Sequence, residues 1–178
     1  MNNNKNGLIH VYFGDGKGKT TAATGLAVRA EGCGCRVVFA QFMKCRKTGE
    51  TDSLQKLGIE VIRAGNSEKF SWEMTEKEKD ECRDAQAVLL GMIKDITLRE
   101  GEVDLIILDE ALNAAALGFL DEEALKDFVY NKPACVELVL TGCIAPAWLL
   151  EKADYITEMK KCKHPFDEGI AARESIEY

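Results

Sequence analysis

The chain has 178 residues, a formal net charge of −7, 46 % hydrophobic residues and 30 % charged residues. This length and composition predict one globular domain with its own core, and the acidic charge argues against a basic groove for nucleic acid. No apolar stretch reaches the ~20 residues that a membrane span needs, so we expect neither a nucleic acid nor a membrane as partner.

The first predicted elements are a strand, a glycine-rich loop and a helix. An apolar run at residues 8–13 precedes Gly14, Asp15, Gly16, Lys17, Gly18, Lys19, Thr20 and Thr21. In this context the glycines let backbone N–H groups point at phosphate oxygens, and the helix adds the positive end of its dipole. Lys19 can neutralise phosphate charge, and the Thr20 hydroxyl can bind Mg²⁺. The pattern predicts a phosphate-binding P-loop.

The glycine spacing departs from the usual P-loop pattern. In G-x-x-x-x-G-K-[ST] the first glycine would fall at Phe13, whereas Gly14 comes one residue later. We therefore expect this loop to hold its phosphates differently from an ordinary ATPase. A glycine-rich turn with an incidental lysine is the structural alternative.

Further apolar runs alternate with helical patterns along the chain. Buried strands are predicted at residues 36–43, 59–63, 103–109 and 136–141, with a possible sixth at 155–160. This alternation indicates an α/β fold: a mostly parallel sheet of five to six strands, covered by helices on both faces. We interpret residues 1–178 as a single P-loop NTPase-like domain without a dividing linker.

Two helix starts can be read from capping residues. Thr75 and Glu78 form a capping box before the longest apolar-periodic segment, and Asp121 can cap a helix over residues 122–129. Residues 44–53 and 64–73 are polar and are predicted to be loops.

The strand at residues 103–109 ends in two carboxylates. P-loop proteins often place an acid at such a strand end, near the Mg²⁺ that the loop threonine binds. Asp109 and Glu110 are therefore candidate metal ligands together with Thr20. A solvated strand end or a helix cap is the alternative explanation.

Three other side chains have both a functional and a structural interpretation. Phe70 and Trp72 can offer a flat apolar surface to a large planar ligand, or they can pack onto the helix after Thr75. His164 is a candidate site residue, although a lone histidine is more often structural. His10 lies within the first strand and is interpreted as a core or sheet-face residue.

The motifs together resemble those of P-loop type ATP:corrinoid adenosyltransferases. Five segments occur in the same order, namely Gly14 to Ala23, Gln41-Phe42-Met43-Lys44, Phe70-Ser71-Trp72-Glu73, Leu108-Asp109-Glu110 and Lys163-His164-Pro165-Phe166-Asp167-Glu168-Gly169-Ile170. The resemblance covers nearly the whole chain. It implies transfer of the 5′-deoxyadenosyl group of ATP to the Co(I) of a reduced corrinoid, with release of tripolyphosphate.

The resemblance also implies roles for individual residues. Catalytic roles fall on Lys19, Thr20 and Glu110, and ATP binding falls on the loop from Gly14 to Thr21. The corrinoid would pack on Phe70 and Trp72, which displace its lower axial ligand. The resemblance also implies a binding role for His164. Mg²⁺ would be held by Thr20, Glu110 and Asp109.

Partners and location follow from the same resemblance. They are ATP, cob(I)alamin or a corrinoid precursor, an electron-donating flavoprotein reductase and a second copy of the chain in a homodimer. Seven irregularly spaced cysteines fit reduced thiols in the cytoplasm. An ordinary P-loop NTPase or kinase, and a non-catalytic corrinoid or nucleotide carrier, are the alternatives.

The chain departs from the family pattern at two positions. Asp15 stands where relatives often have asparagine, and a negative charge beside phosphate is unfavourable unless it points away or caps a backbone group. Cys143 stands where many relatives have arginine, which removes one possible phosphate contact.

Overall fold

The computed structural model describes residues 6–44, 48–65, 71–99 and 101–177. Strands and helices alternate along these residues. In chain order they are β1 (Ile9–Phe13), α1 (Lys19–Glu31), β2 (Val37–Gln41), α2 (Gly49–Lys56), β3 (Glu60–Arg63), α3 (Glu76–Leu98), β4 (Leu105–Asp109), α4 (Ala111–Ala116), α5 (Glu122–Asn131), β5 (Glu137–Thr141), α6 (Ala147–Lys152) and β6 (Tyr155–Glu158). Short 3₁₀ turns occur at Ser71–Glu73 and Pro165–Glu168.

The strands form one parallel sheet. Over the described residues it has six strands in the order β3-β2-β4-β5-β1-β6, and every pairing is parallel. The α/β fold predicted from the sequence is confirmed, including the sixth strand. Because β1, β5 and β4 are parallel neighbours, the P-loop after β1 and the carboxylates Asp109 and Glu110 at the end of β4 lie at the same edge of the sheet.

Helices cover both faces of this sheet. Alternate residues of each strand enter different cores because the side-chain period of a strand is two. Phe39 and Ile107 pack with α1 and α2 on one face, whereas Val38 and Ile106 pack with α3, α4, α5 and α6 on the other. Central strands β2 and β4 are buried throughout, which explains their continuous apolar sequences.

The predicted helix starts are confirmed. The Thr75 Oγ1 accepts from Glu78 N and the Glu78 carboxylate accepts from Thr75 N at 2.8 Å, which completes the capping box of α3. The Asp121 carboxylate accepts from Glu123 N at 2.9 Å at the start of α5. Among the described residues, no helix is long and apolar enough to cross a membrane.

One predicted loop was wrong in part. Residues 44–53 were predicted as a loop, but α2 begins at Gly49. Its sequence is a weak helix former, and Leu54 is fully buried against the sheet. Burial of this face, which the local sequence does not signal, stabilises the helix.

The capping box allows a direct stability test. We expect Thr75→Ala to lower the free energy of unfolding by about 1 kcal/mol, because the first turn of α3 loses a partner for its N–H groups. Urea denaturation measures this change. The control is Val88→Ala on the exposed side of α3, which should change stability by less than about 0.5 kcal/mol. Equal effects of the two substitutions would contradict a capping role.

Candidate functional site

The P-loop is held tightly against the end of the last strand. Gly14 has a φ of +111°, and a Cβ there would lie 2.5 Å from the Met159 carbonyl oxygen. Gly16 N donates to the same oxygen at 2.6 Å, and a Cβ on Gly16 would also lie 2.6 Å from it. Both glycines are therefore required by the close approach of the backbone after β6.

The position of Phe13 explains the shifted glycine. Phe13 is the last residue of β1, and its carbonyl accepts from Met159 N at 2.7 Å. Strand pairing with β6 thus continues through the position where the usual pattern has its first glycine. The loop begins at Gly14, whose N–H donates to the Cys143 carbonyl at 3.0 Å.

The Lys19 ammonium lies over the loop. Its Nζ donates to the carbonyl oxygens of Gly14 and Gly16, each at 2.8 Å. Lys19 is also the first residue of the 13-residue helix α1, so its charge adds to the positive end of the helix dipole. Loop, helix end and ammonium together form an environment suited to an anion.

Thr20 and Asp109 meet below the loop. The Thr20 Oγ1 donates to Asp109 Oδ1 at 2.9 Å, and the Thr141 Oγ1 at the end of β5 donates to the same oxygen at 2.8 Å. Asp109 is fully buried. The threonine and the carboxylate that the sequence proposed as metal ligands are therefore in direct contact.

The second Asp109 oxygen receives donors that the sequence reasoning did not assign. Lys44 Nζ donates to Oδ2 at 2.7 Å and to Thr20 Oγ1 at 3.2 Å, and Gln41 Nε2 donates to Oδ2 at 3.2 Å. Burial alone would lower the pKa of Lys44, but the Asp109 carboxylate, aided by Glu110 and Glu50, outweighs burial and raises it. Lys44 is thus a cation in the middle of the candidate site.

Glu110 lies beside this cluster in a different environment. It has a φ of +62° at the N-terminus of α4, its N–H donates to Thr141 Oγ1 at 2.9 Å, and its carboxylate accepts from Asn113 Nδ2. Burial, together with the charge of Asp109, raises the pKa of Glu110. Asp109 rather than Glu110 is the carboxylate that contacts Thr20.

A polar network extends from the site towards β3. Gln41 Nε2 also donates to Glu50 Oε1 at 2.9 Å, while Gln41 Oε1 accepts from the Arg63 guanidinium, with Nε at 2.7 Å. Arg63 Nη2 donates to Thr48 Oγ1 at 2.7 Å. The sequence signals for this network were the polar Gln41 at the end of an otherwise apolar strand and its place in the Gln41-Phe42-Met43-Lys44 segment of the family resemblance.

Asp15 points away from the loop interior. Its carboxylate accepts from Lys161 N at 2.9 Å, and this hydrogen bond lowers the pKa of Asp15. Lys17 Nζ forms an ion pair with Glu177 Oε1 at 3.0 Å. The C-terminal segment therefore covers one side of the P-loop, and the Asp15 charge is accommodated by capping a backbone group.

The proposed corrinoid residues are described only in part. Phe70 lies outside the described residues. Trp72, in the turn before α3, is 76 % exposed, so its ring is not buried against the helix as the structural alternative required. Cys143, the other departure from the family pattern, donates its N–H to Asn113 Oδ1 at 2.6 Å.

The two histidines have structural contacts. The His164 Nδ1 accepts from Phe166 N at 3.2 Å and caps the turn at Pro165–Glu168. His10 Nε2 lies 2.5 Å from Glu137 Oε1, and its ring stacks on Tyr155 with centroids 4.5 Å apart. The interpretation of His10 as a sheet-face residue is confirmed.

The donor set at Thr20 fits a magnesium ion. Mg²⁺ keeps several waters and takes few protein ligands, usually one or two carboxylates with substrate phosphates. Thr20 Oγ1 and Asp109 supply such oxygens, and an ammonium already binds both. The described residues contain no cluster of three or more His, Cys, Asp or Glu side chains that could hold a metal by itself.

Comparison with known proteins gives consistent matches along nearly the whole chain. A sequence model described as ATP:corrinoid adenosyltransferase BtuR/CobO/CobP matches residues 5–178. The corrinoid adenosyltransferase of Pseudomonas aeruginosa is 33 % identical over 173 residues, covering 97 % of this chain and 84 % of that protein. That of Escherichia coli strain K12 is 34 % identical over 177 residues, covering 97 % and 86 %. Corrinoid adenosyltransferase CobA of Salmonella typhimurium is 33 % identical over 175 residues, with the same coverage.

A solved structure agrees at the level of the fold. ATPases 2 and 3 of EssC from Geobacillus thermodenitrificans superpose with a TM-score of 0.52 at 15 % identity. The match covers 96 % of this chain and 35 % of that chain. At this identity the likeness concerns the fold alone, and it agrees with the P-loop-like architecture.

The contact between the C-terminal segment and the P-loop predicts a pH dependence. Hydrogen bonds from Arg173 lower the pKa of Glu177 to about 2, so this anchor is complete above the ordinary glutamate pKa of about 4.3. It is lost as the pH falls towards 2. We expect Glu177→Gln to reduce the amide-exchange protection of Arg173 at pH 7, because that N–H donates to Glu177 at 2.8 Å.

The wild-type protein should approach the variant as the pH falls through that range. Glu168→Gln, which removes an exposed carboxylate paired with Lys163, is the matched control and should leave Arg173 protected. Equal protection in wild type and Glu177→Gln at pH 7 would show that Glu177 does not hold the segment.

Proposed function

The chain belongs to the ATP:corrinoid adenosyltransferase family, and from this premise we propose that it transfers the 5′-deoxyadenosyl group of ATP to the Co(I) of a reduced corrinoid. The observation that supports this most is the position of the Lys19 ammonium on the P-loop, beside the contact between Thr20 and Asp109. Positive charge is gathered where a triphosphate would accumulate negative charge.

The proposed reaction is a single displacement at C5′ of the ribose. The electron pair of Co(I) forms the Co–C5′ bond, the C5′–O bond breaks, and its electrons leave on tripolyphosphate. The nucleophile belongs to the substrate, so the protein has to position both reactants and stabilise the leaving group. Lys19, the loop N–H groups and the end of α1 are suited to this task.

Thr20 and Asp109 would hold Mg²⁺, with Glu110 beside them. A bound Mg²⁺ neutralises charge on the triphosphate. Asp109 has the better supported role, because it contacts Thr20 directly at 2.9 Å. The Glu110 carboxylate accepts a hydrogen bond from Asn113. For Glu110 we therefore propose a weaker role in Mg²⁺ binding, either through a bound water or through its negative charge beside Asp109.

The corrinoid would bind over Phe70 and Trp72. The exposed indole of Trp72 offers an apolar surface that cannot act as an axial ligand to cobalt, so it can replace the lower ligand without restoring coordination. Four-coordinate Co(II) is easier to reduce to Co(I). For His164 we propose only a supporting role in shaping the loop near the turn at Pro165–Glu168.

The partners in this proposal are an electron-donating flavoprotein reductase and a second copy of the chain. Exposed apolar side chains along the edge strand β6, among them Tyr155 and Ile156, support an interface between copies. The six cysteines in the described part of the chain form no disulfide with one another, which supports a reducing compartment such as the cytoplasm.

The identity of the phosphate product tests the proposed function. With ATP, Mg²⁺ and chemically reduced cobalamin, we expect tripolyphosphate and a light-sensitive Co–C product in equal amounts. Lys19→Ala should lower the rate about a hundredfold or more, because it removes an ammonium from the leaving group. Lys126→Ala, on the outer face of α5, is the matched control.

Two other results would each favour a different function. Orthophosphate or a phosphorylated acceptor formed without a corrinoid would indicate an ordinary P-loop NTPase or kinase. Tight binding of both substrates without turnover would indicate a carrier.

A second prediction separates the two roles of Trp72. Trp72→Ala should keep most of the transfer rate with cobalamin that is already Co(I), and lose at least about tenfold when Co(II) must be reduced on the protein. Leu98→Ala, which removes another exposed apolar side chain, should change neither assay. Equal losses of Trp72→Ala in both assays would mean that the indole serves packing.

A further inference from the structure

The Lys44 ammonium lies on the oxygens that the proposed Mg²⁺ site needs. Its Nζ is 2.7 Å from Asp109 Oδ2 and 3.2 Å from Thr20 Oγ1. Both oxygens belong to the pair assigned to the metal. Lys44 lies three residues beyond the end of β2, and its side chain is 24 % exposed.

Asp109 needs a cation at this position. A fully buried carboxylate without a compensating charge is strongly destabilising. Thr20, Thr141 and Gln41 supply neutral donors, but in the described part of the chain Lys44 is the one cationic group within 4 Å of Asp109. Lys44 is therefore the counter-ion of the buried Asp109 carboxylate, at 2.7 Å from Oδ2.

The ammonium and a metal cannot use these oxygens together. Mg²⁺ binds oxygen at about 2.0–2.1 Å and keeps a near-octahedral shell. An ammonium at 2.7 Å from one ligand and 3.2 Å from the other stands within that shell and repels the metal by like charge. Lys44 must move for Mg²⁺ to bind Thr20 and Asp109.

A destination for the displaced ammonium is already present. The Glu50 carboxylate lies 3.6 Å from Lys44 Nζ, with Oε1 also accepting from Gln41. Glu50 is in the first turn of α2. A small rotation of the Lys44 side chain exchanges one carboxylate partner for another, so the charge does not become unpaired.

We propose that Lys44 is a positioning residue: the resident counter-ion of Asp109, which Mg²⁺ displaces towards Glu50 when the metal arrives with ATP. This inference rests on the proposed Mg²⁺ site. Competition by the ammonium keeps the affinity for free metal low and keeps the Thr20–Asp109 pair assembled between turnovers. Metal binding then depends on the charge that the triphosphate adds.

The test measures metal binding without ATP or corrinoid. Mn²⁺ binding is followed by electron paramagnetic resonance, and thermal unfolding is recorded with and without Mg²⁺. For Lys44→Met we expect Mn²⁺ affinity at least about tenfold above that of wild type, a lower Tm in metal-free buffer, and recovery of that Tm by Mg²⁺. The wild-type Tm should respond little to Mg²⁺.

Matched variants keep the test decisive. Lys94→Met removes an ammonium paired with the surface carboxylate of Asp127 and should alter neither metal binding nor its effect on Tm. Lys44→Gln keeps a hydrogen-bond donor for Asp109 without the charge, so it should bind Mn²⁺ more tightly even if Lys44→Met is too unstable to purify. In the double variant Lys44→Gln/Asp109→Asn, both the higher Mn²⁺ affinity and the rise of Tm with Mg²⁺ should be lost.

The outcomes separate this inference from the proposed function. Unchanged Mn²⁺ affinity in Lys44→Gln, or a Tm loss that Mg²⁺ does not restore, overturns the counter-ion role even if the wild-type protein releases tripolyphosphate. Tighter, Asp109-dependent Mn²⁺ binding in a protein that makes no tripolyphosphate supports the counter-ion role and overturns adenosyl transfer instead.

Discussion

The buried carboxylate of Asp109 is the constraint on which the site depends. It lies at the end of the central strand β4, out of contact with water, and so its oxygens must be satisfied by protein donors. The hydroxyls of Thr20 and Thr141, the Gln41 amide and the Lys44 ammonium all donate to it. These donors come from α1, β5, β2 and the segment after β2, so one charge fixes the relative positions of four parts of the chain.

Contacts with the backbone after β6 and with the C-terminal segment also hold the P-loop in place. Gly14 and Gly16 approach the Met159 carbonyl too closely for any side chain, and Asp15 and Lys17 engage Lys161 and Glu177 of the C-terminal segment. The loop is therefore clamped between the Asp109 cluster and the end of β6. Such preorganisation fits a site in which fixed dipoles and charges stabilise a leaving group.

This arrangement suits the proposed transfer better than hydrolysis. In the proposed transfer, the Co(I) of the second substrate would supply the nucleophile, so the protein would need no activated side chain. Its task would be to gather positive charge at the triphosphate end of ATP and to hold the ribose within reach of cobalt. The exposed Trp72 offers apolar area for the planar ring of the proposed corrinoid substrate.

Local sequence patterns were enough to predict the fold class, all six strands, two helix caps and the P-loop. These features depend on apolar runs, capping residues and glycine spacing, which can be recognised without knowing the tertiary structure. The sequence also proposed Thr20, Glu110 and Asp109 as metal ligands. The direct contact of Thr20 with Asp109, the helix α2 within a predicted loop, and the place of Lys44 were decided by the tertiary structure. Lys44 belongs to the Gln41-Phe42-Met43-Lys44 segment of the family resemblance, but the sequence alone assigns no contact to its side chain. Only the pairing of β2 with β4 brings it to a carboxylate 65 residues away, and no local pattern records which strands are neighbours.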